Sequence, residues 1–197
     1  MDGYTGRILK VDLSSGASEE WRPPEEWYRD YLGGEGLGVR IFWDYLDPNL
    51  EPLDPAQPLI FTDGPLTGTP APASGRSVAV FRSPATGTVG ASNCGGFFAR
   101  ELKRAGWDGL VITGKAAQPV YLSVDEDGAQ IKDAAAIWGS GVKATEAAIK
   151  EELGDPKTQI ASIGQGGENL VMFAAIINDK HRAFGRGGPG ALMGAKN

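Results

Sequence analysis

Short apolar segments with period-two alternation recur along this chain, and they arrive in runs, not in strict turn with helices. "RILKVDL" (7–13) sets Leu9, Val11 and Leu13 on one face, the pattern of a half-buried strand. "SSG" turns it and "ASEEWR" reads as the return strand. "PLIFTDG" (58–64) and "RSVAVFRS" (76–83) read as strands, "DGLVITG", "VYLSVDE" and "AQIKD" as a strand meander, and "TQIASIG" and "NLVMFAAII" as two more. Helices are predicted after Pro24 in "PEEWYRDYL", over 36–46, 95–106 and 143–153, and in a short terminal "ALMGAKN". The expected class is α+β: two β-sheets, largely antiparallel, with a few packed helices.

With 197 residues and no evident linker or repeat, the chain is expected to be one domain over 1–197. The formal charge of −6 argues against a general nucleic-acid or membrane-surface role. "MDGYTGRILKVDL" has no apolar leader, and no apolar run nears the roughly 20 residues of a membrane span, so a cytoplasmic protein is expected. One cysteine, Cys94, and one histidine, His181, rule out an internal disulfide framework or a cysteine-ligated cluster.

Two glycine strings imitate nucleotide loops. "GGEGLG" (33–38) has Val39 where the third fingerprint glycine belongs and follows a helix. "GLVITGKA" (109–116) has an apolar strand in its middle and Ala116 in place of the magnesium-binding hydroxyl. Both read as structure.

Three other loops carry chemistry. In "TGTPAPASGRS" (67–77), Arg76 stands where a proline-stiffened loop enters a strand. In "GASNCGGFF" (90–98), Asn93 offers oxygen, and Gly95 with Gly96 exposes N–H groups at an expected helix start. In "HRAFGRGGPG" (181–190), Arg182 and Arg186 stand among glycines, a backbone nest with two forked donors. The alternatives are a surface arginine beside a turn for Arg76, an N-cap for Asn93, and salt bridges to acidic neighbours for Arg182 and Arg186. His181 is expected to be a hydrogen-bonded structural residue and Cys94 a small buried thiol. Trp27, Trp43, Phe97 and Phe98 are assigned to the core. Jointly the loops imply an anionic ligand with phosphate-like groups.

From about residue 4 onward, the ordered strings "GRILKVDLSSG", "YLGGEGLGVRIFWD", "GPLTGTPAPASGR", "SNCGGFFARELKRAGWDGLVITGKA" and "IASIGQGGENLVMFAAIINDKHRAFGRGGPGALMGAKN" resemble the N-terminal domain of the aldehyde ferredoxin oxidoreductase family, the tungsten-pterin enzymes. The resemblance implies two sheets supporting a bis-pyranopterin tungsten (or molybdenum) cofactor, with magnesium bridging the pterin phosphates. By motif position, Arg76, Arg182 and Arg186 would hold pterin and phosphate groups. Asn93 and Ala183 would give oxygens to the magnesium, and Gly95 and Gly185 would give N–H groups and clearance. The family's enzymes oxidise aldehydes to carboxylic acids and pass electrons through a [4Fe–4S] cluster to ferredoxin. The cluster ligands and acid/base residues belong to two later helical domains, so residues 1–197 are expected to be inactive alone and to partner those domains, with a homodimer possible. The competing class is a non-catalytic pterin carrier or assembly module.

Overall fold

The computed structural model describes residues 2–197. Its main sheet has six strands: β1 (Ile8–Asp12), β2 (Ala17–Trp21), β3 (Leu59–Asp63), β4 (Ser77–Arg82), β5 (Val89–Cys94) and β6 (Gly109–Thr113). Their order is β2-β1-β6-β3-β4-β5. All neighbours are antiparallel except β1 and β6, which pair in parallel with Ile8 opposite Gly109. The alternation seen in the sequence divides the side chains between two cores. Leu9, Val11, Leu59, Phe61, Ala79, Phe81, Leu110 and Ile112 face one side; Ile8, Ile60, Val78, Val80 and Val111 face the other. Residues of β3 are buried throughout, as both faces of a central strand must be.

Helices α1 (Glu25–Tyr31) and α2 (Gly34–Tyr45) cover the second face. Tyr28, Leu37, Ile41 and Phe42 are buried there, and Leu37 and Ile41 share a stripe at helical spacing. The close seating of α2 depends on Gly38. A Cβ at that position would lie 2.7 Å from Val80 Cγ2 and 2.8 Å from Thr62 Oγ1.

The opposite face carries more varied cover. There α3 (Phe98–Arg104) buries Ala99 and Leu102. The hairpin of β7 (Val120–Asp125) and β8 (Gly128–Asp133) contributes Leu122, Val124 and Ile131. α4 (Val142–Leu153) ends on left-handed Gly154. Beyond it lie β9 (Ala161–Ser162), the single turn α5 (Gln165–Glu168), β10 (Ile176–Asn178), β11 (Arg182–Phe184) and α6 (Pro189–Ala195). The last three strands form a second sheet in the order β11-β10-β9. Phe184 meets Phe61 edge-on at 5.4 Å, joining that sheet to the main one. Next to α6, Lys196 is buried and its ammonium donates to the carbonyls of Pro55 (2.5 Å) and Gln57 (2.7 Å).

The α+β class and the largely antiparallel pairing stand. Four details differ from the sequence reading. β6 is not in a meander with β7 and β8; it lies inside the main sheet, because an apolar strand buried on both sides needs central neighbours. The segment 169–177 is strand only from Ile176, since Leu170 adopts φ 56 and turns the chain. Residues 89–94 are a strand, and the helix after them starts at Phe98, not at 95. Two aromatics assigned to the core are outside it. Trp43 is 73% exposed on the outer side of α2, and Phe97 is 52% exposed beneath the Arg100 guanidinium at 4.7 Å.

Candidate functional site

Arg76 immediately precedes β4, and Asn93 is the penultimate residue of β5. The β4–β5 register pairs Val78 with Asn93 and Ser77 with Cys94, which brings both residues to one end of the sheet. Together they line an open groove of about 380 Å³, walled by Gly33, Gly34 and Glu35 at the start of α2 and by Gly64–Thr67. The first turn of a twelve-residue helix adds partial positive charge to that groove, with the Glu35 carboxylate opposing it. Asn93 is not the N-cap of α3; that position is Phe97.

The second loop meets the third. Gly96 has φ 110, and a Cβ on it would collide with Asp179 Oδ2 and stand 2.5 Å from Asn178 Oδ1 and 3.2 Å from Arg182 Cγ. Only glycine allows that approach. The Phe97 N–H donates to Asp179 Oδ2 at 2.6 Å. The Asn178 amide donates to Cys94 Sγ at 3.0 Å and to the Gly95 carbonyl at 3.3 Å. Farther along, the Arg186 N–H donates to Ser92 Oγ, and Ser83 Oγ donates to the Gly187 carbonyl at 2.7 Å. The first loop joins the same cluster, because a Cβ on Gly75 would stand 3.0 Å from the Gly96 carbonyl.

All three loops therefore converge at the β5 edge. Arg76, Asn93, Arg182, Ala183, Gly185 and Arg186 are exposed there, and Gly95 is half-buried with open space where a side chain would be. Among the described residues, no ion pair uses Arg76, Arg182 or Arg186, whereas Arg7 and Arg40 are paired with Glu20 and Asp44. The salt-bridge reading of Arg182 and Arg186 finds no partner. His181 is exposed on the turn before β11, and its ring makes no hydrogen bond among the described residues, contrary to the structural role expected. Cys94 is 3% exposed, as a buried thiol should be. Burial pushes its pKa up, while the Asn178 hydrogen bond and the positive charges of Arg182 and Arg76 pull the other way.

Ser92, Asn178 and Asp179 are the working parts that residue-type reasoning passed over. The "IIND" string held the only signal, two turn-forming polar residues directly after an apolar run. A polar row also crosses the sheet beneath the loops, since Asp63 is paired with Ser77 and Ser77 with Cys94. Asp63 is 1% exposed with neither carboxyl oxygen partnered, and burial pushes its pKa up to about 8. A larger apolar cavity of about 690 Å³, lined by Leu59, Phe61, Leu122 and Ile149, lies between the main sheet, the β7–β8 hairpin and α4. None of the three arginines lines it. Among the described residues, no group of three or more His, Cys, Asp and Glu side chains is placed to hold a metal, and no helix is long and apolar enough to cross a membrane.

The family model described as "Aldehyde ferredoxin oxidoreductase, N-terminal domain" matches residues 8–197. A tungsten-containing aldehyde ferredoxin oxidoreductase of Pyrococcus abyssi is 49% identical over all 197 residues, which correspond to 32% of that relative. An aliphatic sulfonate oxidoreductase, WOR-like subunit, of Pyrococcus furiosus is 39% identical over the whole chain and 34% of its own length. Among solved structures, the active-site complex BamBC of benzoyl coenzyme A reductase, with 1,5-dienoyl-CoA, superposes with a TM-score of 0.95 at 41% identity. That match covers 98% of this chain and 30% of the other. The chain spans about a third of the length of the relatives it matches.

Proposed function

Because the chain belongs to the aldehyde ferredoxin oxidoreductase family, as its N-terminal domain, we propose that it is the platform for a bis-pyranopterin tungsten cofactor in an enzyme that oxidises aldehydes to carboxylic acids. The observation that carries this reading is the convergence of three glycine loops, two of them bearing arginines that pair with no carboxylate among the described residues. Unpaired guanidiniums gathered at one sheet edge are suited to a multiply charged anion, each offering a planar fork of donors.

The residues fit the group. Arg76, Arg182 and Arg186 would hold the pterin phosphates and ring edges. Asn93 and Ala183 would offer oxygens to the accompanying magnesium ion, a hard cation that takes oxygen ligands. Gly95 and Gly185 give N–H donors and room for close approach. The bound cofactor supplies the two-electron chemistry, and the chain supplies position and charge. Onward electron transfer to ferredoxin would fall to a [4Fe–4S] cluster held by the later domains; Cys94, 3% exposed and hydrogen-bonded to Asn178, is not among its expected ligands. Aldehyde oxidation is favoured over the sulfonate and aromatic-ring branches because identity to the aldehyde enzymes is higher, 49% against 39% and 41%.

The test is cofactor content. The polypeptide carrying the later domains, purified from cells supplied with tungstate, should contain tungsten and fluorescent oxidised pterin in fixed ratio and oxidise aldehydes with a viologen acceptor. Residues 1–197 alone should show no turnover above a cofactor-only control. A longer protein free of both tungsten and pterin overturns the reading.

A further inference from the structure

The turn that carries Arg182 is held in an unfavourable conformation. Asp179 and Lys180 have φ 47 and φ 62, so two consecutive side-chain-bearing residues occupy the left-handed region. The His181 N–H closes the turn on the Asp179 carbonyl at 2.7 Å. Such a conformation persists only where surrounding contacts enforce it. Here the contact is the carboxylate of Asp179 itself, whose Oδ2 accepts the Phe97 N–H at 2.6 Å, 82 residues away in sequence. Asn178 adds the bonds to Cys94 and Gly95. Directly across the hairpin, Asn178 is paired with Arg182 and Ile177 with Ala183.

We propose that Asp179 is a positioning residue, a latch that holds the β10–β11 hairpin against the Gly95–Phe97 loop and thereby sets the spacing of Arg182 and Ala183 from Asn93 and Gly95. The latch rests on the geometry alone; its consequence for a cofactor rests on the function proposed above. Losing the bond frees the hairpin to swing on its strand ends. The two halves of the anion cradle then separate, and Cys94, covered by Asn178, opens to solvent.

Two substitutions separate latching from general stability. Asp179→Asn keeps an oxygen acceptor and tolerates positive φ. Asp179→Gly removes the acceptor but relieves the backbone. The first measurement is the rate at which Cys94, the single thiol of the 197-residue chain, reacts with a chromogenic disulfide. A charge-assisted hydrogen bond corresponds to about a tenfold change in such an opening equilibrium. The rate should rise about tenfold in Asp179→Gly and stay near wild type in Asp179→Asn, while the melting temperature of Asp179→Gly falls only modestly, because the relieved backbone strain offsets part of the lost bond. The second measurement is tungsten and pterin content of the longer polypeptide, which should fall about tenfold in Asp179→Gly and not in Asp179→Asn. Wild-type thiol reactivity in Asp179→Gly overturns the latch, whatever the cofactor content. Full cofactor content in an Asp179→Gly protein whose Cys94 has opened overturns its role in positioning. A wild-type protein without tungsten or pterin, whose Cys94 still opens in Asp179→Gly, upholds the latch and removes the cofactor reading.

Discussion

The backbone N–H of Arg186 donates to the hydroxyl of Ser92 at 3.0 Å, tying the edge of the main sheet to a loop 94 residues away. Ser92 is 1% exposed, so an alanine there leaves the Arg186 N–H without its partner. Ser92→Ala should cost about 1–3 kcal/mol in denaturant unfolding. It should also lower cofactor content, because the loop loses the tether that places Arg186.

Arg182 and Arg186 should behave differently from Ser92. Neither is in an ion pair among the described residues, and both are exposed. Their removal should leave the melting temperature of the cofactor-free protein nearly unchanged, within about 0.5 kcal/mol of stability. Cofactor retention should fall by roughly ten- to a hundredfold, from a charge-assisted bond of about 1.5–3 kcal/mol. Lysine at position 182 should rescue only part of it, for want of the planar fork. Full tungsten and pterin occupancy in both alanine variants would refute the assignment; a collapse in melting temperature would return them to structural duty.

Asp63 gives a pH prediction. Burial raises its carboxyl to about 8, against a smaller downward pull from the positive charge of Lys103. The folded state therefore holds a proton that the unfolded chain releases between about pH 4 and pH 8, so this group's contribution to stability declines as pH rises through that window and is flat above it. Asp63→Asn removes the decline. Its gain in melting temperature over wild type should be larger at about pH 8.5 than at about pH 5. Lys196 is depressed to about 7 by its own burial and slopes in the opposite sense, but it is common to both proteins and cancels in the comparison. Equal gains at the two pH values would show that Asp63 is ionised in the fold.

Gly38→Ala tests the seating of α2. The added methyl meets Val80 Cγ2 at 2.7 Å and Thr62 Oγ1 at 2.8 Å, both in the tightly packed strands β4 and β3. Overpacking of this kind costs about 1–3 kcal/mol. The unfolding midpoint should fall without a change in m-value. An alanine protein as stable as wild type would mean that α2 shifts freely on the sheet.

The strands β1, β3, β4 and β6 were legible in the sequence, β1 and β4 by their alternation, β3 and β6 as short apolar runs bounded by turn residues. β5 was harder: "VGASNC" is half small and polar, and it is a strand because β4 offers it a partner, not because its side chains demand one. β11 is three residues long and exists through pairing with β10 and the burial of Phe184. Residue type singled out the arginines, glycines and Asn93, and the fold does gather them. It could not single out Asp179, whose importance lies in a hydrogen bond across 82 residues. Nor could it place Trp43 and Phe97, since large aromatics on the outer side of a helix or at its cap read like core residues until the neighbouring layers are known.

Lys196 has a consequence in time. Its ammonium satisfies the carbonyls of Pro55 and Gln57, in the loop that leads into β3, and the N–H of Ala116 donates to its own carbonyl at 3.0 Å. A ribosome that has synthesised the first 190 residues has already made every strand of both sheets and the β7–β8 hairpin, yet those carbonyls still wait for a residue that has not been added. The loops that meet at the β5 edge are likewise spread from Gly75 to Gly187. Nothing assembled at that edge during synthesis can be complete until this stretch has cleared the exit tunnel. An anion that needs all three loops can be held there only once translation has passed Gly187.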